Sequence, residues 1–179
     1  MAGIKVEALP GKTIDFVLEK LEKVDHYNCK DFHTIILHLG TVNILRIFDA
    51  NSSTSPEKVF EKAEELYHKI REHNKFALIQ FSGIIPIPKF PQHKNFIITY
   101  NKKLQNFTQT HQNTLYLPTG KLFLSKGLPK LELYKPFPDL IHPLDCEVKR
   151  LNSWFGQAIT PITVKQRFEA KKSTHQNRQ

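Results

Sequence analysis

Hydrophobic and polar positions in the first part of the chain alternate between two periods, which predicts strands separated by helices. Residues 4–9 have the composition of a strand that ends at a turn formed by Pro10 and Gly11. Apolar residues then recur at helical spacing from Ile14 to Leu21, and residues 34–39 form a second apolar run typical of a buried strand. This part of the sequence therefore indicates a strand, a tight turn, a helix and a second strand.

The same alternation continues along the rest of the chain. Ser55 followed by Pro56 predicts the start of a helix, because a serine hydroxyl caps a first turn and proline fits the first helical position. Amphipathic spacing carries this helix to Ile70. The later elements are predicted to be a strand over 76–81, a proline-rich loop over 84–91, a helix over 96–107, a strand over 114–117, an irregular stretch over 118–138 and a final helix over 144–155.

Strands separated by helical segments predict an α/β fold with a mainly parallel sheet between two layers of helices. A chain of 179 residues that is 40% hydrophobic and 24% charged fits one domain with a single core. We assign residues 1–156 to this domain and the polar, basic residues 157–179 to a flexible tail. No apolar run approaches the roughly 20 residues that span a bilayer, and the start lacks the features of a secretory signal. With Cys29 and Cys146 as its cysteines, the chain is expected to be cytoplasmic and free of disulfides.

Residues able to do chemistry lie next to the ends of predicted elements. Gly11 and Gly40 come just after strands, while Asp139 and His142 are expected to open the last helix. In parallel α/β sheets, ligands bind outside the carboxyl ends of the strands. We therefore expect these four residues to gather at one end of the sheet, with Asp139 and His142 within hydrogen-bonding reach of each other.

Four segments, in this order along the chain, carry a family resemblance: residues 9–14 (LPGKTI), 36–43 (ILHLGTVN), 81–86 (FSGIIP) and 139–142 (DLIH). Together they resemble the SGNH or GDSL-type esterase family over residues 9–155. The resemblance implies a three-layer α/β/α sandwich, flavodoxin-like and of the SGNH hydrolase type, in which a serine attacks an ester carbonyl without a cofactor. By position it implies that His142 is the catalytic base and Asp139 its partner. It makes Gly11, Gly40 and Asn43 candidates for the oxyanion hole.

Two departures from the family pattern change the expected activity. The third block of the family is Gly-x-Asn-Asp, whereas here Val42 takes the asparagine position and Asn43 comes one residue late. The first block, a strand ending in Gly-Asp-Ser, would precede Leu9, and no serine occurs before that residue. The resemblance thus implies a fold whose first strand and nucleophile are missing, a marginally stable chain, and an inactive or incomplete ester hydrolase. A small ester is the expected substrate if an upstream segment supplies the serine.

Each candidate residue also has a purely structural interpretation. Aspartate often forms the turn before a helix, and histidine often lies on a surface, so Asp139 and His142 alone do not establish catalysis. Ser82 follows the third predicted strand and is expected to be an ordinary turn hydroxyl. The histidines show no metal-ligand spacing with the cysteines, and no phosphate-binding glycine motif occurs. Neither a metal nor a nucleotide cofactor is expected.

The net charge supports an alternative function of a different class. The chain has 26 Lys and Arg against 17 Asp and Glu, a formal charge of +9, and residues 157–179 hold five of those cations and one glutamate. Such an excess favours polyanions, so the alternative is a non-catalytic module on a hydrolase-like fold that binds RNA or another polyanion through the tail. The structural interpretation is that the lysines keep the domain in solution. No RNA-binding motif with interleaved aromatics supports the alternative.

Overall fold

The structure is a computed structural model that describes residues 11–23, 29–48 and 54–159. The predicted strand over residues 4–9 and the chain beyond residue 159 lie outside the described residues. The chain divides into two compact units, Met1–Pro129 and Lys130–Gln179, called the first and second unit below. Each unit is described separately, and the predicted domain boundary at residue 156 stays a prediction.

The helix α1 (Ile14–Glu22) begins where the hydrophobic pattern predicts it. Thr13 caps its first turn, because the threonine hydroxyl accepts a hydrogen bond of 3.4 Å from the N–H of Phe16. Ile14, Leu18 and Leu21 lie on one face and are buried. The predicted amphipathic helix is confirmed.

Three strands form a parallel sheet in the order β1-β2-β3, with bounds Thr34–Leu37, Leu78–Ser82 and Thr114–Leu117. In the register of the sheet, Gln80 lies between Ile36 of β1 and Leu115 of β3. Within the described part of the chain, β1 pairs with β2 and with no other strand. The carboxyl ends of all three strands therefore meet at one edge, which we call the carboxyl edge.

The strand β2 begins two residues later than predicted, and the reason is a side chain that turns the backbone. Asn74 Oδ1 accepts hydrogen bonds from the N–H groups of Phe76 (3.1 Å) and Ala77 (2.9 Å). These bonds hold the chain in a turn, which competes with strand pairing. Phe76 consequently projects from the sheet and is 89% exposed.

The connections between the strands are made by helices. The short helix α2 (Thr41–Leu45) and the long helix α3 (Pro56–His73) connect β1 to β2, and α4 (Lys94–Thr110) connects β2 to β3. Ser55 Oγ accepts the N–H of Lys58 at 3.3 Å, and Pro56 is the first helical residue, so the predicted helix start is confirmed.

The helices α3 and α4 lie against each other and cover the sheet. Phe107 of α4 packs edge-on against Tyr67 of α3 at 5.1 Å and against Phe81 of β2 at 5.8 Å between ring centroids. The helix α1 packs on α3. A three-stranded parallel sheet flanked by helices confirms the predicted α/β class and is consistent with the predicted three-layer α/β/α arrangement.

The stretch predicted to be irregular, residues 118–138, contains several short elements. It begins with the one-turn helix α5 (Thr119–Leu122), which is followed by an antiparallel pair of two-residue strands, β4 (Leu124–Ser125) and β5 (Leu128–Pro129). Gly127, with φ of +79°, turns the chain between the two strands. These elements complete the first unit.

The second unit contains the helix α6 (Asp145–Ile159), which the pattern of apolar residues predicts from residue 144 onward. The expectation that Asp139 and His142 open this helix is wrong, because the helix begins at Asp145. Leu140, with φ of +45°, is outside the helical region of backbone space, and Pro143 has no N–H to donate. The segment before α6 is a turn closed by a bridge between Tyr134 and Pro143. No helix among the described residues is long and apolar enough to span a membrane.

Candidate functional site

Asp139 and His142 form a hydrogen-bonded pair within the second unit. The imidazole Nδ1 of His142 lies 3.0 Å from both carboxylate oxygens of Asp139. The same carboxylate accepts the backbone N–H groups of Ile141 (2.9 Å) and His142 (3.0 Å) through Oδ1. The pair is thus built by one local turn, in which the aspartate side chain binds the backbone two and three residues ahead.

The backbone bonds have an electrostatic consequence for the carboxyl group. Donation by the N–H groups of His142 and Ile141, followed by the bond to the His142 ring, lowers the pKa of Asp139 from 3.8 to about 2. An ionised carboxylate only accepts hydrogen bonds, so Nδ1 of His142 carries the proton and Nε2 is the basic nitrogen. This is the tautomer that a triad histidine needs, although the His142 side chain is 69% exposed.

Gly40 lies at the carboxyl edge, directly before α2. Its φ of +106° is rare for residues with a side chain, and a Cβ there would meet the Tyr100 hydroxyl at 3.0 Å and Ile84 Cδ1 at 3.1 Å. The Tyr100 hydroxyl in turn donates to the carbonyl of Leu39 at 3.5 Å. Glycine is therefore required at this position by backbone conformation and by packing, whatever else it does.

Asn43 is buried, at 5% exposure, and both ends of its amide are engaged. Its Oδ1 accepts the N–H of Ile14 at 3.0 Å, and its Nδ2 donates to Asp15 Oδ2 at 3.3 Å. The amide thus ties the start of α1 to α2, and its donor is directed at a carboxylate. Asp15 also forms an ion pair with Lys62 of α3. Gly11 lies three residues before α1, with φ of +70°, and a Cβ there would meet no atom of the described residues within 4 Å.

The candidate residues are accordingly described in two groups. Gly11, Gly40 and Asn43 belong to the first unit, with Asn43 connected to the helix that follows Gly11. Asp139 and His142 belong to the second unit and form their pair there. The catalytic and oxyanion roles of these residues stay predictions.

A hydrogen-bonded chain at the carboxyl edge was not foreseen from the sequence. Ser82 Oγ, at the end of β2, lies 2.8 Å from His38 Nδ1 and 2.6 Å from Thr119 Oγ1. The hydroxyl of Thr119 donates to the carbonyl of Leu117 at 3.3 Å. Since that bond uses the proton of Thr119, Ser82 donates to Thr119 and accepts from His38. The signal in the sequence was that His38 and Ser82 each follow the apolar run of a neighbouring strand.

The environment of Ser82 does not suit a nucleophile. Its residue surface is 1% exposed, and the adjoining cavity, of about 10 Å³, has room for at most one water molecule. Desolvation lowers the pKa of the His38 imidazole and favours its neutral form, but the effect is limited because the residue as a whole is exposed. With its proton directed at Thr119, Ser82 is a structural hydroxyl within the described part of the chain. Among the same residues, no cluster of His, Cys, Asp or Glu could hold a metal ion.

Comparison with solved structures identifies a similar fold. The chain matches a Streptococcus pneumonia protein described as a "putative platelet activating factor", with a TM-score of 0.67 and 15% sequence identity. The match covers 84% of this chain and 69% of the other. At this identity the likeness shows the fold alone, which is an α/β fold. No family model matches the chain, and neither does any curated protein.

Proposed function

We propose that this chain is an SGNH-type ester hydrolase domain that carries the acid and base of a catalytic triad but lacks the nucleophile. The observation that supports this most is the Asp139–His142 pair. The Asp139 carboxyl group has a lowered pKa, so its ionised form accepts the Nδ1–H of His142 and leaves Nε2 as the base. The two residues are three positions apart in sequence, with two residues between them, as in the family that the sequence resembles. The similar fold of the Streptococcus pneumonia protein adds weaker support.

The missing nucleophile is the reason to propose an inactive chain. A base at Nε2 accelerates acyl transfer only if a hydroxyl or thiol lies beside it. Removing the serine of a triad costs about 10⁶ in turnover in a serine protease. Of the four serines in the described residues, Ser55 caps α3, Ser82 donates to Thr119, and Ser125 and Ser153 are exposed on β4 and α6. A small ester is the proposed substrate of a completed protein, in which another segment contributes Gly-Asp-Ser.

The oxyanion hole is the second proposed deficit. Losing one side-chain donor costs roughly 10²–10³ in turnover. The Val42 side chain has no hydrogen-bond donor, and the side-chain donor of Asn43, Nδ2, is bound to Asp15. These two deficits act on the same step, so their effects do not add.

The experiment is an esterase assay with a short-chain nitrophenyl ester, combined with a fluorophosphonate probe that labels activated serines. We expect the chain, and its His142→Ala variant, to give the same background hydrolysis and no labelling. Stoichiometric labelling of any serine in the chain would show the proposal to be wrong.

A gain-of-function arm tests the acid and base directly. The chain is extended upstream by a strand and a Gly-Asp-Ser turn, and both His142→Ala and Asp139→Asn are introduced into this extended form. We expect labelling of the new serine that His142→Ala abolishes and Asp139→Asn weakens. If neither substitution changes the labelling, Asp139 and His142 are not the acid and base of the triad.

A further inference from the structure

The middle of the chain contains a long segment without acidic residues. No aspartate or glutamate occurs between Glu72 and Glu132, although at the average frequency of 17 acids in 179 residues a segment of this length would hold about six. The segment does hold several lysines: Lys75, Lys89, Lys94, Lys102, Lys103, Lys121, Lys126 and Lys130. It is fully described and includes β2, α4 and β3. The net positive charge is therefore concentrated in this segment, because acidic residues are absent and not because lysines are in excess.

The outer face of α4 is the longest regular surface in this segment. Lys94, Ile98, Lys102 and Asn106 recur every four residues, so they form one stripe along the helix, and all four are exposed. Gln105 and Gln109 are also exposed beside them. We call this set of residues the α4 stripe. The apolar residues of α4, by contrast, are buried against the core.

The neighbouring lysine on α4 has a different environment. Lys103 lies over the ring of Phe60 in α3, 5.7 Å from its centroid. Its charge is thus directed toward α3. Neither Lys94 nor Lys102 makes an ion pair with any residue that the structure describes. The two charges of the α4 stripe are available to a partner.

We propose that the α4 stripe binds single-stranded nucleic acid. Lys94 and Lys102 are eight residues apart, about 12 Å along the helix, which is the length of three to four nucleotides at about 3.4 Å each. Their ammonium groups contact backbone phosphates, and binding releases the counterions of those phosphates. Ile98 lies between them, 53% exposed, and the amides of the stripe are hydrogen-bond donors and acceptors for bases that are not paired.

The structure favours this partner over an anionic membrane. A helix that binds at a membrane surface turns a wide apolar face toward the lipid. The apolar face of α4, which includes Tyr100, Leu104 and Phe107, is instead buried in the domain. The exposed face has a single large apolar residue, Ile98. Its composition of lysines and amides suits a hydrated phosphodiester chain.

Fluorescence anisotropy with a labelled single-stranded oligonucleotide of 20 nucleotides tests the proposal on the full chain. The test variant is Lys94→Gln with Lys102→Gln. The matched control is Lys58→Gln with Lys149→Gln, which removes the same charge from exposed positions on α3 and α6. Thermal unfolding by circular dichroism verifies that both variants fold as the parent does.

We expect the α4 variant to bind at least roughly tenfold more weakly at 50 mM salt. Its slope of log K against log salt concentration should fall by about 1.4, since each phosphate contact on a single strand contributes about 0.7. The control should retain the parent slope.

Equal losses in the two variants, or no binding by the parent at 50 mM salt, would contradict the proposal. So would binding to phosphatidylserine vesicles without binding to the oligonucleotide. All these measurements are independent of the proposed esterase role.

Discussion

Asn101 of α4 holds Ile84 by two hydrogen bonds, one to each polar group of its backbone. Its Oδ1 accepts the N–H of Ile84 at 2.8 Å, and its Nδ2 donates to the carbonyl of Ile84 at 2.9 Å. Ile84 is fully buried in the loop that leaves β2. The Asn101 amide thus pairs both backbone polar groups of Ile84, as a neighbouring strand would in a sheet. These bonds hold the chain in place just beyond Ser82.

We predict that Asn101→Ala destabilises the domain by about 2–3 kcal/mol, because two backbone groups lose their partners and an unsatisfied buried group costs about 1–3 kcal/mol. Urea unfolding measures the difference. Asn106→Ala is the control, since Asn106 is exposed on the same helix and its replacement should change stability by less than about 0.5 kcal/mol. Equal effects in the two variants would argue against the role of these bonds.

Gly83 follows Ser82 and has no room for a side chain. A Cβ at this position would clash with the hydroxyl of Tyr116 on β3. We predict that Gly83→Ala destabilises the domain by about 1–3 kcal/mol, as overpacking does in other cores. The double variant with Tyr116→Phe should recover part of the loss, because it removes the atom that clashes. If the two substitutions are additive in urea unfolding, the contact is not the cause.

Ser82 is predicted to stabilise the carboxyl edge without contributing to hydrolysis. Ser82→Ala removes the two hydrogen bonds of Ser82 with His38 and Thr119, so we expect a loss of about 1–3 kcal/mol in unfolding free energy, at roughly 0.5–1.5 kcal/mol for each bond. Background ester hydrolysis should stay the same. Ser125→Ala, at an exposed position of β4, is the matched control and should change neither quantity. A drop in hydrolysis specific to Ser82→Ala would make Ser82 a nucleophile after all.

The carboxyl group of Asp139 is predicted to titrate far below its ordinary range in the folded chain, at a pKa of about 2. A carboxyl whose pKa is lower in the folded state stabilises the fold above its unfolded pKa of 3.8, and this contribution is lost as the pH falls through about 2. Carbon-detected NMR of the side chain measures the titration.

The backbone of the turn contributes more to the low pKa of Asp139 than the His142 ring does. Because the backbone N–H groups of His142 and Ile141 lower the pKa more than the His142 ring does, His142→Ala should leave the pKa of Asp139 below 3.8. A short peptide that spans the same turn is the reference for the unfolded state. Titration of Asp139 at the peptide value in the parent chain would show that the turn does not form.

The features that the sequence predicts well are those that depend on residues close together in the chain. The cap formed by Ser55 depends on residues within one helical turn, and so does the pairing of Asp139 with His142. The link between His38 and Ser82 joins residues 44 apart and depends on the register of two strands, which periodicity does not reveal. The start of β2 was misplaced for a related reason, since strand propensity at Phe76 does not account for the side chain of Asn74.

The engagement of Asn43 limits how this chain could regain an oxyanion donor. A shift of α2 that brought Asn43 to the place of Val42 would withdraw its Oδ1 from the N–H of Ile14 and its Nδ2 from Asp15, so α1 would lose the group that anchors its first residue. The substitution Val42→Asn would add a donor and leave that anchor in place. Under the proposed oxyanion role, a donor at the family's asparagine position therefore requires one substitution within α2 and leaves both hydrogen bonds of Asn43 unchanged.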